Sequence, residues 1–285
     1  MALITFPSEY FNARDTLECG QIFRFYPVGE NAYRVISLDK CAIVETKGDI
    51  TEVSCADSDR VYFENFFDLS RDYGAIVDSV KSHRNPFLSR CTAVGKGIRI
   101  LNQDSVETLF SFIVSQNNNI PRIKGILERL CTALGEEKEF DGCKYFAFPK
   151  VEIMAKESLG FYKQIGLGYR AEYIKRLAEN ILNGFNLTAL NNLSTIELKK
   201  ALTAIYGVGP KVADCVCLFG FHRSDSFPVD TWIEKVYREN FFGLEKNRAK
   251  ITEFFNKTFG DNAGYFQQYM FYYKRSLEKG EKSNV

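Results

Sequence analysis

The chain has 285 residues, 45% of them hydrophobic and 26% charged, ordinary globular proportions that exclude a disordered, collagen-like or coiled-coil chain. At about 150 residues per domain, this length predicts two domains with sizeable cores. Thirty-seven basic residues against thirty-six acidic ones leave a net charge of +1. Nucleic-acid binding, if present, must therefore use a local face of backbone amides and a few Arg or Lys.

No apolar run reaches the roughly 18 residues of a membrane span. The N-terminus meets Glu9 with no basic stretch before it, so a soluble chain without a secretory leader and without membrane contact is expected. Eight cysteines occur at positions 19, 41, 55, 91, 131, 143, 215 and 217, with no C-x-x-C, and the two histidines, His83 and His222, are far apart. No zinc ligand set is readable in that pattern. It suits a reducing compartment where thiols act as small buried hydrophobes, and neither a metal nor a cofactor is expected.

Residues 1–98 read as an N-terminal antiparallel β domain with flanking helices. Gln21–Tyr26, Ala32–Leu38, Ala42–Lys47 and Ile50–Ser54 are short β-branched or aromatic runs broken by turn residues, as in a meander. A helical stretch over 58–81 leads to a border marked by Arg84-Asn85-Pro86 and Lys96-Gly97. Residues 99–285 then read as a helical domain, which makes the fold class α+β. Val106–Ser115 is an apolar helix running into Gln116-Asn117-Asn118-Asn119. The next helix carries Ile120, Ile123, Ile126, Leu127, Leu130 and Leu134 on one face, with Pro121 in its first turn and Gly135 at its end. Glu136-Glu137-Lys138-Glu139 reads as a solvated loop. Ile174, Leu177 and Ile181 mark a helix that stops at Gly184. Ser194-Thr195-Ile196-Glu197 is a capping box opening a helix through Ile205. The tail from Glu278 to Val285 reads as a frayed terminus.

After the capped helix comes Tyr206-Gly207-Val208-Gly209-Pro210-Lys211-Val212-Ala213-Asp214-Cys215, a short hairpin leading into a second helix. Its glycines allow positive φ and close approach of a foreign backbone. The free amides at the second helix's start offer an anion site suited to a DNA phosphate. Gly-x-Gly alone describes a plain αα-corner equally well. Lys211 is more telling, because a lysine in a helix's first turn opposes the macrodipole. The same field with partial burial is expected to lower its pKa toward a reactive amine. An unperturbed lysine near pKa 10.4 is about 0.04% neutral at pH 7, a handicap of roughly 4.6 kcal/mol. Asp230, in Phe227-Pro228-Val229-Asp230-Thr231-Trp232, reads on its own as a helix N-cap.

Gly207-Val208-Gly209-x-Lys211-x-Ala213-Asp214 with Pro228-Val229-Asp230 resembles the helix-hairpin-helix DNA glycosylases. Three further motifs resemble the eukaryotic-type 8-oxoguanine DNA glycosylase/AP lyase family. Phe110-Ser111-Phe112-Ile113-x-Ser115-x-Asn117-Asn118-Asn119-Ile120-x-Arg122-Ile123 is similar to its Asn-rich junction. Leu167-Gly168-Tyr169-Arg170-Ala171 is similar to its DNA-intercalating loop, and Cys19-Gly20-Gln21-x-Phe23-Arg24 to its first strand. The resemblance covers about residues 15 to 275 in one order.

It implies excision of 8-oxoguanine from duplex DNA, preferably opposite cytosine, by a monomer that also nicks the strand. Lys211 would attack C1′ to give a Schiff base and then β-elimination, and Asp230 would stabilise the positive charge growing on the sugar. The base must leave the stack to be reached. Tyr169 would fill the gap while Asn117, Arg122 and Arg170 hydrogen-bond the orphaned cytosine. The flipped lesion would lie between Cys215 and Phe271, with Gln267 on its Watson–Crick edge. The Gly20 carbonyl would accept from N7–H, a hydrogen guanine lacks, a discrimination of about 1–3 kcal/mol. Gly207, Val208 and Gly209 would hold a phosphate. Trp232, at a position where eukaryotic members have a histidine near a phosphate, is a further expected DNA contact. Gln116 and Pro121 also depart from the family pattern. The implied location is the nucleoid-bearing cytoplasm of a prokaryote or the nucleus of a eukaryote. Among rivals, an iron–sulfur glycosylase needs clustered cysteines after Asp230, an alkylation-repair enzyme would lack Lys211, and a DNA-binding scaffold needs neither residue.

Overall fold

The computed structural model describes residues 1–278, and the tail from residue 279 onward, read above as frayed, lies outside the described residues. Strands β1 (Ala2–Pro7), β2 (Phe25–Pro27), β3 (Ala32–Ser37), β4 (Lys40–Lys47) and β5 (Ile50–Cys55) form one antiparallel sheet in the order β1-β5-β4-β3-β2. The expected meander is present from β2 to β5. Sequence reading missed β1, whose Ala2 and Ile4 face the core while Leu3 and Thr5 face solvent, in register with β5 through Ile4 and Val53.

The strand expected at Gln21–Tyr26 shrinks to three residues for a local reason. Helix α1 (Ala13–Glu18) is followed by Gly20 with φ +95°. The buried Gln21 side chain then takes backbone partners, donating to Thr16 O at 2.8 Å and Arg99 O at 2.7 Å and accepting from Leu101 N at 2.8 Å. A side chain that satisfies the backbone in this way replaces ladder bonds. It also fixes the Gly20 turn against the segment leading to the next helices.

Helices α2 (Arg60–Phe66), α3 (Tyr73–Ser79) and α4 (Pro86–Gly95) complete the N-terminal part. Then follow α5 (Ser105–Ser115), α6 (Ile120–Leu134), the hairpin β6 (Glu137–Phe140) and β7 (Cys143–Phe146), α7 (Val151–Met154), α8 (Leu159–Gln164) and α9 (Arg170–Leu182). The last five helices are α10 (Thr195–Thr203), α11 (Pro210–Gly220), α12 (Thr231–Asn240), α13 (Arg248–Phe259) and α14 (Ala263–Glu278). The acidic run expected as a loop is strand β6, its outward charges solvated and Glu137 paired with Lys144 at 2.7 Å. The capping box at Ser194 and Glu197 forms with both bonds, although α10 ends at Thr203 rather than Ile205.

The cores do not divide at residue 98. Tyr73, Ile76, Phe87, Leu88 and Cys91 of α3 and α4 pack in the helical core with Leu109, Phe112, Phe266 and Tyr269. The sheet has a separate core with Phe63, Phe66, Phe67 and Leu101. Gly95 permits the close approach of α4 and α14, since a Cβ there would lie 2.8 Å from the Tyr269 ring. Arg24 and Glu107, paired at 3.0 Å and buried, tie sheet to α5, and Glu107 also accepts from Leu38 N at 2.6 Å. Removing one partner of such a pair costs about 3–5 kcal/mol, because the other charge stays buried. Among the described residues no helix is long and apolar enough to cross a membrane, and no group of three His, Cys, Asp or Glu could hold a metal.

Candidate active site

The α10–α11 hairpin distinguishes its two glycines. Gly207 has φ +87°, and a Cβ there would fall 2.3 Å from the Tyr173 ring. Gly209 has φ −86° and does not use the positive-φ freedom, and a Cβ on it would meet open space. Gly207 therefore serves internal packing, while Gly209 keeps the outer surface clear. Val208 is buried and its amide donates to Ile205 O at 3.0 Å, so a phosphate cannot use that amide without breaking the turn. Ala213 is the first α11 amide recorded with an internal acceptor, Gly209 O at 3.0 Å. The amides before it form the positive end of the helix. Asp214 fastens α11 to α10 through Lys199 at 2.6 Å, and burial pushes its pKa up to about 6 against the pull of that lysine.

One face of α11 then presents Lys211, Cys215 and Phe219 at helical spacing to a small cavity. It is lined also by Gly20, Phe112, Pro228, Asp230, Gln267, Gln268 and Phe271, and its free volume is about 50 Å³, room for a few waters. Lys211 Nζ lies 5.7 Å from the Phe112 ring centre, and Phe112 stacks on Phe219 with centroids 5.5 Å apart. Burial raises the Cys215 thiol to about 11, with Lys211 pulling the other way. Cys215 thus offers the cavity a neutral, polarizable face.

Asp230 is both N-cap and pocket residue, so the two readings of it are compatible. Its Oδ1 accepts from Trp232 N at 3.0 Å and Ile233 N at 2.9 Å, and neither cap bond uses Oδ2. Burial raises its pKa, while the cap bonds and Lys211 hold it down. Trp232 is half-buried in the first turn of α12, with Lys235 Nζ 5.0 Å from its ring, and it does not line the cavity.

Helix α14 supplies the opposite wall. Gln267 is buried; its Nε2 donates to Pro228 O at 3.2 Å, and its Oε1 has no partner among the described residues. An unsatisfied buried acceptor costs about 1–3 kcal/mol, so this atom stands open to a donor. Gln268 Nε2 donates to Cys19 O at 3.3 Å and so holds the Gly20 turn to α14. A Cβ at Gly20 would be 3.5 Å from Phe271 Cε1 on a backbone that L side chains rarely adopt. Sequence reasoning missed Phe112, Phe219, Pro228 and Gln268. Phe112 and Pro228 stand within the motifs quoted above, and Phe219 follows Cys215 at i, i+4 spacing.

A second cluster lies at the α5–α6 junction, where three consecutive asparagines do different jobs. Asn117 is exposed with φ +45°, a region Asn tolerates well. Asn118 Nδ2 closes α5 by donating to Val114 O at 3.0 Å, and Asn119 caps α6 by accepting from Arg122 N at 3.0 Å. Tyr169 is 53% exposed, with its hydroxyl 3.4 Å from Gln116 O. Arg122 is exposed and reaches Gly166 O at 3.4 Å. Arg170 is buried, and its guanidinium donates to the carbonyls of Gln116, Asn117 and Leu167. In this arrangement it builds the junction, leaving Asn117, Arg122 and Tyr169 to face outward. Gln116, a departure from the family pattern, links the two clusters by donating to Gly207 O at 2.9 Å.

Residues 110–260 match the model of the HhH-GPD superfamily of base excision DNA repair proteins, and residues 3–109 match the 8-oxoguanine DNA glycosylase N-terminal domain. The chain belongs to the 8-oxoguanine DNA glycosylase family. It is similar to the solved structure of MBOgg1 with a low-affinity DNA ligand, at 37% identity and TM-score 0.92 over 98% of this chain and 97% of that one. It is also similar to the Clostridium acetobutylicum 8-oxoguanine glycosylase/lyase solved with duplex DNA containing cytosine opposite 8-oxoguanine, at 33% identity and TM-score 0.90 over 98% of this chain and 99% of that one. The Saccharomyces cerevisiae N-glycosylase/DNA lyase is 37% identical over 54% of this chain, a match spanning 45% of the yeast protein.

Proposed function

We propose that the chain is a bifunctional DNA repair enzyme that excises 8-oxoguanine from duplex DNA, preferably opposite cytosine, and then nicks the strand. The observation that carries this reading is the convergence of Lys211, Asp230, Cys215, Gln267, Phe271 and Gly20 on one small cavity. The Lys211 amine attacks C1′ as the glycosidic bond breaks, and the leaving base keeps that electron pair and takes up a proton. Ring opening of the sugar gives a Schiff base on Nζ. Loss of a C2′ proton then expels the 3′ phosphate oxygen, and water releases the enzyme. The Asp230 carboxylate, with Oδ2 outside the cap bonds, opposes the positive charge developing on the sugar.

Recognition follows the hydrogen-bonding groups that line the pocket. The unpaired Gln267 Oε1 takes an N–H of the base's Watson–Crick edge, and Gly20 O takes N7–H. Cys215 and Phe271 cover the two ring faces. The free space of about 50 Å³ holds only a few waters, and Phe271 moves aside when the base enters. Tyr169 fills the space left in the stack, Asn117 and Arg122 read the unpaired cytosine, and the amides around Gly209 grip a phosphate.

Borohydride should trap a covalent adduct on an 8-oxoguanine duplex. Lys211→Gln should abolish it, with duplex binding retained. Adduct formation by the substituted protein would remove Lys211 from the mechanism.

A further inference from the structure

Helix α14 brings a third residue to the Gly20 turn, one turn beyond Phe271. Arg275 is half-buried, its Nη2 donates to Glu18 O, and its guanidinium carbon lies 5.6 Å from the Phe271 ring centre. Its Nη1 is 3.4 Å from where a Gly20 Cβ would stand, is buried, and has no hydrogen-bond partner among the described residues. No carboxylate is recorded in an ion pair with it among the described residues. A last-turn arginine serving only the helix dipole would stay in solvent. This one has been drawn in against the α1 end and the gate ring instead.

We propose that Arg275 is a positioning residue for lesion recognition. It acts through Gly20 and Phe271, fixing the height of the reading carbonyl and the resting place of the ring that closes the pocket. The planar guanidinium suits this task. One edge anchors the α1 carbonyl, one face lies near Phe271, and the Nη1 edge stands beside the Gly20 turn. Lesion selectivity rests on a carbonyl that must meet N7–H at hydrogen-bond distance, so a loose turn loses discrimination before it loses chemistry. This inference rests on the glycosylase reading above, which the Lys211 trapping test examines separately.

The test is made in the trapping-inactive Lys211→Gln background, with equilibrium binding to an 8-oxoguanine duplex and to a tetrahydrofuran abasic duplex. Arg275→Met should lower the ratio of lesion to abasic affinity about tenfold, a loss of about 1.4 kcal/mol. Arg275→Lys, which keeps the charge but not the fork, should fall between. Combined with Gly20→Ala, the Arg275→Met loss should be much smaller than in the parent, because both changes act on one turn. Equal losses on both duplexes, or additive losses with Gly20→Ala, would reduce Arg275 to a general structural role and overturn the proposal. If Arg275→Met fails to fold, the Arg275→Lys ratio decides alone: an unchanged ratio overturns the proposal. Absence of any lesion preference in the parent protein would instead count against the glycosylase reading.

Discussion

The two clusters that face the expected DNA are built in opposite ways. The cavity around Lys211 gathers residues from the start of the chain, α5, α11, the α12 cap and α14, so every wall depends on long-range packing. The Asn117 and Tyr169 cluster is made from two tight turns, joined by Arg170 to the carbonyls of Gln116 and Asn117. In the first, polar groups are buried and one has no partner among the described residues; in the second, the polar tips are exposed and the structural bonds run through the backbone. A site that must desolvate a base needs enclosure. A site that props open a duplex needs donors and a ring held outward.

The contrast predicts different penalties. The largest concerns Asp230→Asn, which keeps a good N-cap side chain and so should leave the melting temperature near that of the parent. It should slow base release about 100- to 1000-fold, the scale of losing a transition-state charge contact. Burial raises the Asp230 pKa, so activity of the parent should fall with decreasing pH at a value above the ordinary carboxylate range. That limb should vanish in the variant. Stability moves the other way. The native carboxyl holds its proton more tightly than the unfolded one, so its stabilising effect is complete at low pH and fades as pH rises through the raised value. A pH–rate profile with the same acid limb in both proteins would exclude Asp230 as its source.

Arg170→Leu and Arg122→Ala sharpen the comparison within the second cluster. Arg170 is buried among carbonyls, and its loss should cost about 2–3 kcal/mol in chemical denaturation. Arg122 is exposed, so its loss should leave stability within about 0.5 kcal/mol while eroding preference for cytosine opposite the lesion. Equal stability effects would mean that the backbone bonds of Arg170 are not structural. The smallest effect on folding belongs to Gln267→Leu. It removes both the Pro228 bond and the unpaired Oε1, changes that oppose each other, so stability should stay nearly constant while lesion affinity falls about tenfold. A large stability loss would show that Oε1 is already satisfied in the free protein.

Much of this was legible beforehand because the signals are local. The capping box at Ser194, the Ile120–Leu134 face and the β-branched and aromatic runs of β3 to β5 between their turns are signals carried by neighbouring residues, and each element is present. The errors came where a distant partner intervened. Gln21 takes its bonds from Arg99 and Leu101 and dissolves a strand. The charged run at Glu137 becomes a strand because residues Cys143–Phe146 return beside it. Arg170 also carries structural bonds that no local signal announced, to the carbonyls of Gln116, Asn117 and Leu167.

Lys211 stood out from its place in a first helical turn, whereas the roles of Asp230, Gln267 and Phe271 came with the family resemblance, which short motifs carry. Whether those groups share one cavity was settled by packing. Helix α14 had to return against α4, Gln268 had to pin the Gly20 turn to it, and Gln21 had to hold that turn to Arg99 and Leu101. Such contacts join positions far apart in the chain, and their geometry depends on how every intervening element fills space.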